Sequence, residues 1–274
     1  MTLILGTLLD LLNAKATVPS PFGFFHIISL LATVGAALLL YRIAPKGTEK
    51  QIRTIMLIVS LLNIVLEIYK QINFTFLYNG TTIDVRYEWH IFPFQLCSTP
   101  MYIGLIAAFS KGRLHRACCD FLATYGIFGG ACVMLFPNEV FVDTIGINIQ
   151  SMVCHGSMIA IGAYLFLSGY VKTEWKTILR AFCVFSVLVC IAVLLNEAAH
   201  QLGITEHDLF NMFFISPYYR TTLPVYTIAQ DLLPFPWCIP AYMLVVTSAA
   251  TAAMLLLSVV MFIKRRFVCL KKDG

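Results

Sequence analysis

Long apolar runs separated by short polar loops dominate the chain. A helix needs about 20 apolar residues to cross a bilayer, and seven runs reach that length. These predicted spans lie near residues 22–44, 54–76, 90–110, 116–136, 149–170, 177–198 and 237–263. No internal repeat divides the pattern. It predicts an all-α fold, a polytopic bundle of seven transmembrane helices in one domain over residues 1–274.

Two segments outside the spans are also rich in apolar residues. Residues 1–19 have no basic region at their start, which favours an interfacial amphipathic helix over a signal peptide. The segment 199–236 is long and rich in aromatic side chains, which favours an extracellular lid. Within it, Thr205 and Asp208 are typical of a helix start, so we expect a short amphipathic helix over 206–215.

Basic residues collect in alternate loops, as expected when lysine and arginine stay on the cytoplasmic side of a membrane. They are Arg42, Lys46, Lys50, Arg53, Lys111, Arg113, Arg116, Lys172, Lys176, Arg180, Lys264, Arg265, Arg266, Lys271 and Lys272. The remaining loops are mainly acidic. This alternation predicts an N-terminus outside and a cytoplasmic C-terminus.

The composition excludes several classes of protein. With 59% hydrophobic and 12% charged residues and a mean hydropathy of +0.82, the chain is far more apolar than a soluble domain. Its net charge of +5 comes from the loop clusters, so we predict no nucleic-acid partner. The nine cysteines have no ligand spacing of the CxxC type, so neither a disulfide framework nor a metal site is predicted, and no cofactor.

The start of the third predicted span combines a thiol with two prolines. Pro93 and Pro100 remove backbone hydrogen bonds and free the carbonyls of Trp89 and Leu96, which distorts a helix on both sides of Cys97. Such broken backbone persists at membrane depth only where protein or a cavity surrounds it. Cys97 is therefore a candidate nucleophile, although a buried cysteine also serves as a small apolar residue.

His155 lies at nearly the same predicted depth in the fifth span, because both residues are a few helical turns from the outer end. An imidazole titrates near neutrality and can take a proton from a thiol within reach, so His155 is a candidate general base for Cys97. Ser151, one turn earlier, shares its helical face, and Gly156 allows close helix packing. The alternative is a histidine that only bonds to another helix.

Further polar residues could line the same outward cavity. Glu67 lies at a similar depth, although it can equally pair with Lys70 three residues later. Asn196 and His26 lie nearer the outer surface. Polar groups inside a membrane usually face the interior of the bundle, so each is a candidate site residue.

Two more candidates flank Cys97 in sequence. His90 is seven residues earlier, on the same face of an ideal helix but about 10 Å away, where it could guide a headgroup. Gln95 lies about 200° around such a helix and can reach the same ligand only if the prolines unwind the segment.

Five short stretches of the chain together resemble the YwaF-like family of integral membrane proteins. In order they are residues 92–97, 150–156, 195–196, 211–212 and 233–237, and the resemblance covers roughly residues 55 to 260. Gln95 stands where the family has histidine, and Asn211 directly precedes Met212 without the aromatic residue usual between them.

The family includes a eukaryotic relative described as a cysteine-dependent acyltransferase for ether phospholipids. The resemblance therefore implies Cys97 as nucleophile, His155 as general base, and phospholipid or lysophospholipid substrates. The supporting or substrate-binding candidates, taken from their positions in the spans and loops, are Glu67, Gln95, Asn196, His90, Ser151 and Asn211. A more distant likeness to membrane hydrolases of fatty-acid esters, which pair threonine with histidine, makes Thr99 an alternative nucleophile.

The predicted function is acyl transfer or acyl-ester hydrolysis through a thioester, in a multi-pass protein of a bacterial plasma membrane. Its partners are the bilayer and its lipids, and the oligomeric state stays open. The alternative is a transporter or receptor-like protein that binds a small polar solute, with Glu67, Lys70 and His155 as ligands or a proton relay.

Overall fold

The computed structural model describes residues 2–221 and 223–270. Its helices are α1 Thr2–Leu12, α2 Phe24–Ile43, α3 Glu49–Thr75, α4 Thr99–Phe109, α5 Gly112–Phe121, α6 Ile127–Leu135, α7 Ile145–Leu167, α8 Trp175–Gln201, α9 Pro224–Leu232 and α10 Cys238–Leu270. Six stretches of the described chain are long and apolar enough to cross a membrane: α2, α3, α5 with α6, α7, α8 and α10. The predicted all-α polytopic membrane bundle is confirmed.

The third predicted span, over 90–110, is not one continuous helix. Trp89–Ile91 forms a 3-10 turn, residues 92–98 are irregular, and α4 begins only afterwards. This apolar helix has 11 residues, fewer than the roughly 20 that a full crossing needs. The crossing predicted here thus consists of a short helix with an irregular segment in front of it.

The two prolines explain the break, and the freed carbonyls find other partners. The Trp89 carbonyl accepts from the Phe92 N–H at 3.1 Å, and the Leu96 carbonyl accepts from the Thr99 hydroxyl at 3.0 Å. Buried backbone groups left without a partner are costly. Local bonds of this kind allow the irregular segment to persist inside the bundle.

Aromatic rings fill the core between α5, α8 and the chain that follows α8. Tyr125 stacks on Phe121 and on Phe185, with centroid distances of 5.4 and 4.5 Å. It lies in a fully buried π-helical turn, Leu122–Gly126, that joins α5 to α6. Phe185 in turn reaches Phe213 from the predicted lid, at 6.3 Å. The core therefore extends into the lid segment.

A small antiparallel hairpin interrupts the helical pattern at the C-terminal end of α3. Its strands are β1 Phe76–Tyr78 and β2 Ile83–Val85. The helix α1 packs on this hairpin so closely that a Cβ on Gly6 would lie 2.5 Å from the Tyr78 ring. Leu11 on α1 is 72% exposed, and the place of this helix at the membrane surface stays a prediction.

The helix predicted over 206–215 is wrong. This part of the chain contains two 3-10 turns, Ile204–Glu206 and Met212–Phe214. The predicted capping groups bond elsewhere: the Thr205 hydroxyl pairs with His200 Nδ1 at 2.9 Å, and the Asp208 carboxylate accepts from the Trp89 N–H at 2.7 Å. The α-helix of this segment is α9, further along the chain.

The orientation in the membrane stays a prediction. Lys271 and Lys272 of the basic tail lie outside the described residues, as do the side chains of Lys264, Arg265 and Arg266. The loops between α2 and α3, α4 and α5, and α7 and α8 share one end of the bundle. We call this the predicted cytoplasmic end and the opposite one the predicted outer end.

Candidate functional site

Cys97 lies in the irregular segment, two residues before α4 begins. Its side chain is partly buried and free of disulfide bonding. The Ser98 side chain and the backbone N–H of Cys97 lie next to the sulfur and favour its negative charge. The N-terminal end of a helix carries partial positive charge, so α4 also favours a thiolate here. The break in the helix thus places the thiol inside the bundle, beside the N-terminal end of α4.

His155 is buried on α7 with one ring nitrogen engaged and the other open. Its Nδ1 lies 2.7 Å from the Ser151 carbonyl oxygen and 3.3 Å from the Ser151 hydroxyl. A carbonyl can only accept, so Nδ1 carries the proton and Nε2 presents its lone pair. Nε2 is buried and has no hydrogen-bond partner among the described residues. The tautomer is the one that a general base requires.

Two glycines hold the backbone around His155 in place. A Cβ on Gly156 would lie 2.4 Å from Thr33 Oγ1 on α2, and a Cβ on Gly130 would lie 2.7 Å from the His155 carbonyl oxygen. The close packing predicted from Gly156 is confirmed. Because α2 and α6 both pack closely against α7, the imidazole belongs to a rigid part of the bundle.

Glu67 and Lys70 form the ion pair that their spacing predicts, with Nζ and Oε1 2.8 Å apart. Gln71 donates to the same Glu67 oxygen at 2.7 Å and to the Ile91 carbonyl at 2.9 Å. The pair therefore braces α3 against the chain that leads to Cys97. An ion pair inside a membrane protein is costly and is typical of functional sites.

This ion pair connects the two candidate catalytic residues. The charges of Glu67 and Lys70 both act on the Cys97 thiol, and the charge of Lys70 also acts on His155. The three elements that carry these groups therefore meet in one electrostatic neighbourhood. Because Nε2 has no hydrogen-bond partner, thiol and imidazole are not bonded to each other in this state.

Gln95 and Asn196 are brought together by the predicted lid. Gln95 donates to the Asn211 carbonyl and accepts from the Phe213 N–H, both at 2.8 Å. Asn196 accepts from the Met212 N–H at 2.7 Å and donates to the Met212 carbonyl at 3.0 Å. The unwinding needed for Gln95 has occurred, and the two amides clamp residues 211–213. Their binding of substrate stays a prediction.

The clamped segment is buried and strained. The Asn211 side chain accepts from the Ser216 N–H at 2.9 Å and closes the turn. Phe213 and Phe214 both have φ of +58°, a conformation that costs a residue with a side chain about 1 kcal/mol or more. Phe213 is fully buried against Phe94, with centroids 5.8 Å apart. This part of the predicted lid fills the bundle beside the irregular segment.

His90 does not share a helical face with Cys97. That inference needed a continuous helix, whereas His90 lies on the 3-10 turn and the chain after it is irregular. Its ring is partly exposed, 3.6 Å from the Glu88 carboxylate and edge-on to Phe74. It remains at the predicted outer surface, and its contact with a headgroup stays a prediction.

Two other candidate residues make hydrogen bonds that stabilise the fold. His26 does not line the cavity, because Nδ1 accepts from the Phe22 N–H and Nε2 donates to the Met134 carbonyl, each at 2.8 Å. The Thr99 hydroxyl is buried and donates to the Leu96 carbonyl. A threonine in this state would have to break that bond before acting as a nucleophile.

Sequence reasoning missed a second cysteine and histidine pair at the predicted cytoplasmic end. His115 and Cys119 face each other on α5, with Nε2 and Sγ 3.7 Å apart. His115 Nδ1 donates to the Ala107 carbonyl at 2.6 Å, and Asp120 beside it pairs with Arg180 and Arg116. The spacing of four residues on a helix is the signal that could have found the pair.

Sequence reasoning also missed a groove between α3 and α4, of about 430 Å³. Glu67 and Gln71 contribute polar groups to its lining, and Pro93 joins it to the irregular segment. The other lining residues are largely apolar: Ile64, Ile68, Ile72, Thr75, Phe76, Met101, Tyr102 and Leu105.

Fold and site together define a polytopic, all-helical membrane protein with a thiol, an open imidazole and an ion pair grouped in one half of the bundle. Residues 21–263 match the model of the TMEM164 family, and the chain belongs to that family. No curated protein and no solved structure matches the chain.

Proposed function

We propose that this TMEM164-family protein is a lipid acyltransferase or acyl-ester hydrolase that works through a thioester on Cys97, with His155 as general base. The observation that carries the proposal is the state of His155. Its Nδ1 is held by the Ser151 carbonyl at 2.7 Å, and its buried Nε2 has no hydrogen-bond partner in the part of the chain that the structure describes. A buried polar atom without a partner is rare and calls for an explanation. A proton taken from a thiol or an alcohol supplies one.

The first half-reaction forms the thioester. His155 Nε2 takes the thiol proton, and Cys97 Sγ bonds to the ester carbonyl carbon of a phospholipid. The bond between that carbon and the glycerol oxygen then breaks, and the imidazolium gives its proton to the departing oxygen. The products are a lysophospholipid and an acyl group bound to Cys97.

The second half-reaction removes the acyl group. His155 takes a proton from an acceptor hydroxyl, whose oxygen bonds to the acyl carbon while the bond to Sγ breaks. The imidazolium then gives that proton to the departing sulfur, which restores the thiol and the neutral imidazole. A lysophospholipid acceptor gives transfer, and water gives hydrolysis. Exclusion of water by the clamped segment around Phe213 favours transfer.

Thiol and imidazole must approach each other for this chemistry. Catalytic hydrogen bonds are often long in the absence of substrate and tighten when it binds. His155 is mounted on tightly packed α7, whereas Cys97 lies in an irregular segment that can adjust. We therefore place the closing movement in residues 92–98.

The substrate class follows from the resemblance to the YwaF-like family and its ether-phospholipid acyltransferase. An ion pair of Glu67 and Lys70 within electrostatic reach of Cys97 suits a polar lipid headgroup region. The proposed location is the plasma membrane of a bacterium, with the site open to the outer leaflet.

The test is intact mass spectrometry after incubation of the purified protein with phospholipids that carry a labelled acyl chain. We expect an acyl adduct on the wild type that hydroxylamine releases and that Cys97→Ala abolishes. His155→Ala should slow its formation by roughly 10²- to 10⁴-fold. Cys154→Ala is the matched control, because this nearby thiol instead accepts a bond from Gln150, and its adduct should equal that of the wild type.

No adduct and no lipid turnover across several headgroups would overturn the proposal. An adduct that persists in Cys97→Ala and disappears in Cys154→Ala would assign the chemistry to the other thiol. Solute binding that is unchanged in Cys97→Ala would support the transporter or receptor alternative.

A further inference from the structure

The groove between α3 and α4 faces the bilayer. Its walls are apolar, from Ile64, Ile68 and Ile72 on α3 and from Met101 and Leu105 on α4. Ile68 is 53% exposed, on the outer surface of the bundle. In a chain that spans a membrane, such a surface is covered by lipid rather than by water. The groove is therefore a place where one lipid chain can lie between two helices.

The groove has a floor where the two helices touch. A Cβ on Gly104 would lie 2.1 Å from Ser60 Oγ, so α3 and α4 are in direct contact there. Ser60 is one helical turn below Ile64, the deepest lining residue on α3. The lining on α3 extends from Ile64 to Thr75, which at 1.5 Å per residue is about 17 Å, and Phe76 on β1 follows it.

The candidate site joins the groove between its two ends, because Glu67 lies seven residues, about 10 Å, from Ser60 along α3. Glu67 lines the groove and is paired with Lys70, whose charge acts on Cys97 and His155. Pro93, also in the lining, belongs to the same irregular segment as Cys97. Polar groups thus lie at the level of the site, and the part of the groove towards the floor is apolar.

We propose that this groove binds the acyl chain of the substrate phospholipid and that the contact between Ser60 and Gly104 limits the length of chain it accepts. The inference rests on the proposed function and adds the chain-binding surface to it. The ester would lie near Cys97, and the methyl end would point to the floor. The chain packs against the apolar walls until the floor is reached, where any further methylene meets Ser60 and Gly104.

The first experiment locates the chain without requiring turnover. The full-length Cys97→Ala protein, in phosphatidylcholine vesicles, is irradiated with a phospholipid that carries a diazirine at the end of one acyl chain. We expect the crosslinked peptides to contain the floor residues, around Ser60, Ile64 and Leu105. Crosslinks spread evenly over the lipid-facing residues, or confined to another pair of helices, would overturn the proposal, as would crosslinks to a second copy of the chain at the groove.

The second experiment changes the length of the groove. Leu105→Trp should fill its deeper part and lower the preference for a long over a short chain, measured as crosslinking competition between phospholipids, by at least about tenfold. A chain too long for the shortened groove overlaps the indole ring, and a tenfold shift corresponds to about 1.4 kcal/mol of such overpacking. The matched control is Ile106→Trp, because Ile106 is the next residue on α4, is 42% exposed and does not line the groove.

The two proposals can fail separately. Crosslinks in the groove without a Cys97 adduct in the wild type would support the chain-binding groove and contradict the proposed acyltransferase activity. A Cys97 adduct together with an unchanged chain preference in Leu105→Trp would support the proposed enzymatic activity and contradict chain binding in the groove. If Leu105→Trp fails to fold, Ile68→Trp blocks the same groove from its exposed edge and should give the same shift.

Discussion

The protein contains two neighbourhoods built from a cysteine and a histidine, and they differ in what the imidazole does. At the predicted cytoplasmic end, His115 uses both ring nitrogens, one on the Ala107 carbonyl and one on Cys119. In the other half, His155 uses only Nδ1, and Nε2 is buried without a hydrogen-bond partner within residues 2–221 and 223–270. In one place the cysteine and histidine thus bond to each other as a structural contact. In the other place the histidine keeps a nitrogen lone pair available to act as a base.

The backbone makes a second difference between the two neighbourhoods. His115 and Cys119 lie on one regular helix, so their separation is set by helical geometry. Cys97 and His155 lie on different elements, and Cys97 lies in an irregular segment beside a groove that opens to the bilayer. Reactive groups need room for a substrate between them, which a helical pair with a closed bond does not offer.

The largest expected effect separates the two thiols. Cys97→Ala should lower acyl turnover by more than about 10⁴-fold, because removal of a covalent nucleophile leaves only binding and electrostatic contributions. Cys119→Ala should leave the turnover of the folded protein within about threefold of the wild type. Turnover is measured as lysolipid release from labelled phospholipid. Equal losses of turnover in the two variants would contradict the separate role proposed for Cys97.

Substitution of the two histidines should affect different properties: turnover for His155 and stability for His115. His155→Ala is expected to lower turnover by roughly 10²- to 10⁴-fold, the usual contribution of a general base. His115→Ala should instead lower the free energy of unfolding by about 1–3 kcal/mol, since it leaves the Ala107 carbonyl without its donor. Turnover and thermal unfolding in detergent are compared for both variants. A stable but inactive His115→Ala would contradict this division.

The ion pairs offer a further contrast. Asp120→Ala removes the carboxylate that holds Arg180, which is 29% exposed. Loss of one partner of a buried pair costs about 3–5 kcal/mol, and we expect the lower end because Arg180 reaches solvent. Thermal unfolding measures the loss. Turnover per folded molecule should stay unchanged, and a selective loss of turnover would show that this end of the bundle takes part in the chemistry.

The clamp on the predicted lid should show coupling. Gln95→Ala and Asn196→Ala should each lower the free energy of unfolding by about 1–3 kcal/mol, because buried backbone groups of residues 211–213 lose their partners. Their effects should not add, since both amides hold one segment. Limited proteolysis of 199–236 measures the release. Gln201→Ala, at an exposed bond to Glu197, is the control and should change stability by less than about 0.5 kcal/mol.

The smallest expected effect is at Ser151. His155 Nδ1 bonds to the Ser151 carbonyl at 2.7 Å and only weakly to the hydroxyl at 3.3 Å. Ser151→Ala keeps the carbonyl, so turnover should fall by no more than about fivefold, equivalent to about 1 kcal/mol. A loss as large as that in His155→Ala would show that the hydroxyl itself touches the substrate.

Local patterns in the sequence were sufficient for much of this architecture. Apolar runs located the six long membrane helices, and helical spacing predicted the ion pair of Glu67 and Lys70. Both depend on neighbours within a few residues, where periodicity is a reliable guide. The prolines around Cys97 also marked the place where the third span breaks.

Errors arose where distant parts of the chain compete for the same groups. Thr205 and Asp208 have the residue types of a helix start, but His200 and Trp89 take their side-chain oxygens. The shared face of His90 and Cys97 required a helix that Pro93 had already interrupted. Such outcomes depend on contacts that no local pattern contains.

By itself, the sequence determined that the chain is a helical membrane protein, and it singled out Cys97 and His155 as the residues to test. The apolar runs suffice for this, because lipid leaves a backbone little choice but helix. Only the tertiary structure decided that His155 keeps Nε2 open, that Gln95 and Asn196 clamp the predicted lid, and that α3 and α4 enclose a groove with a floor. Each of these depends on which side chains meet across the bundle, and packing between helices settles that only when the whole chain is folded.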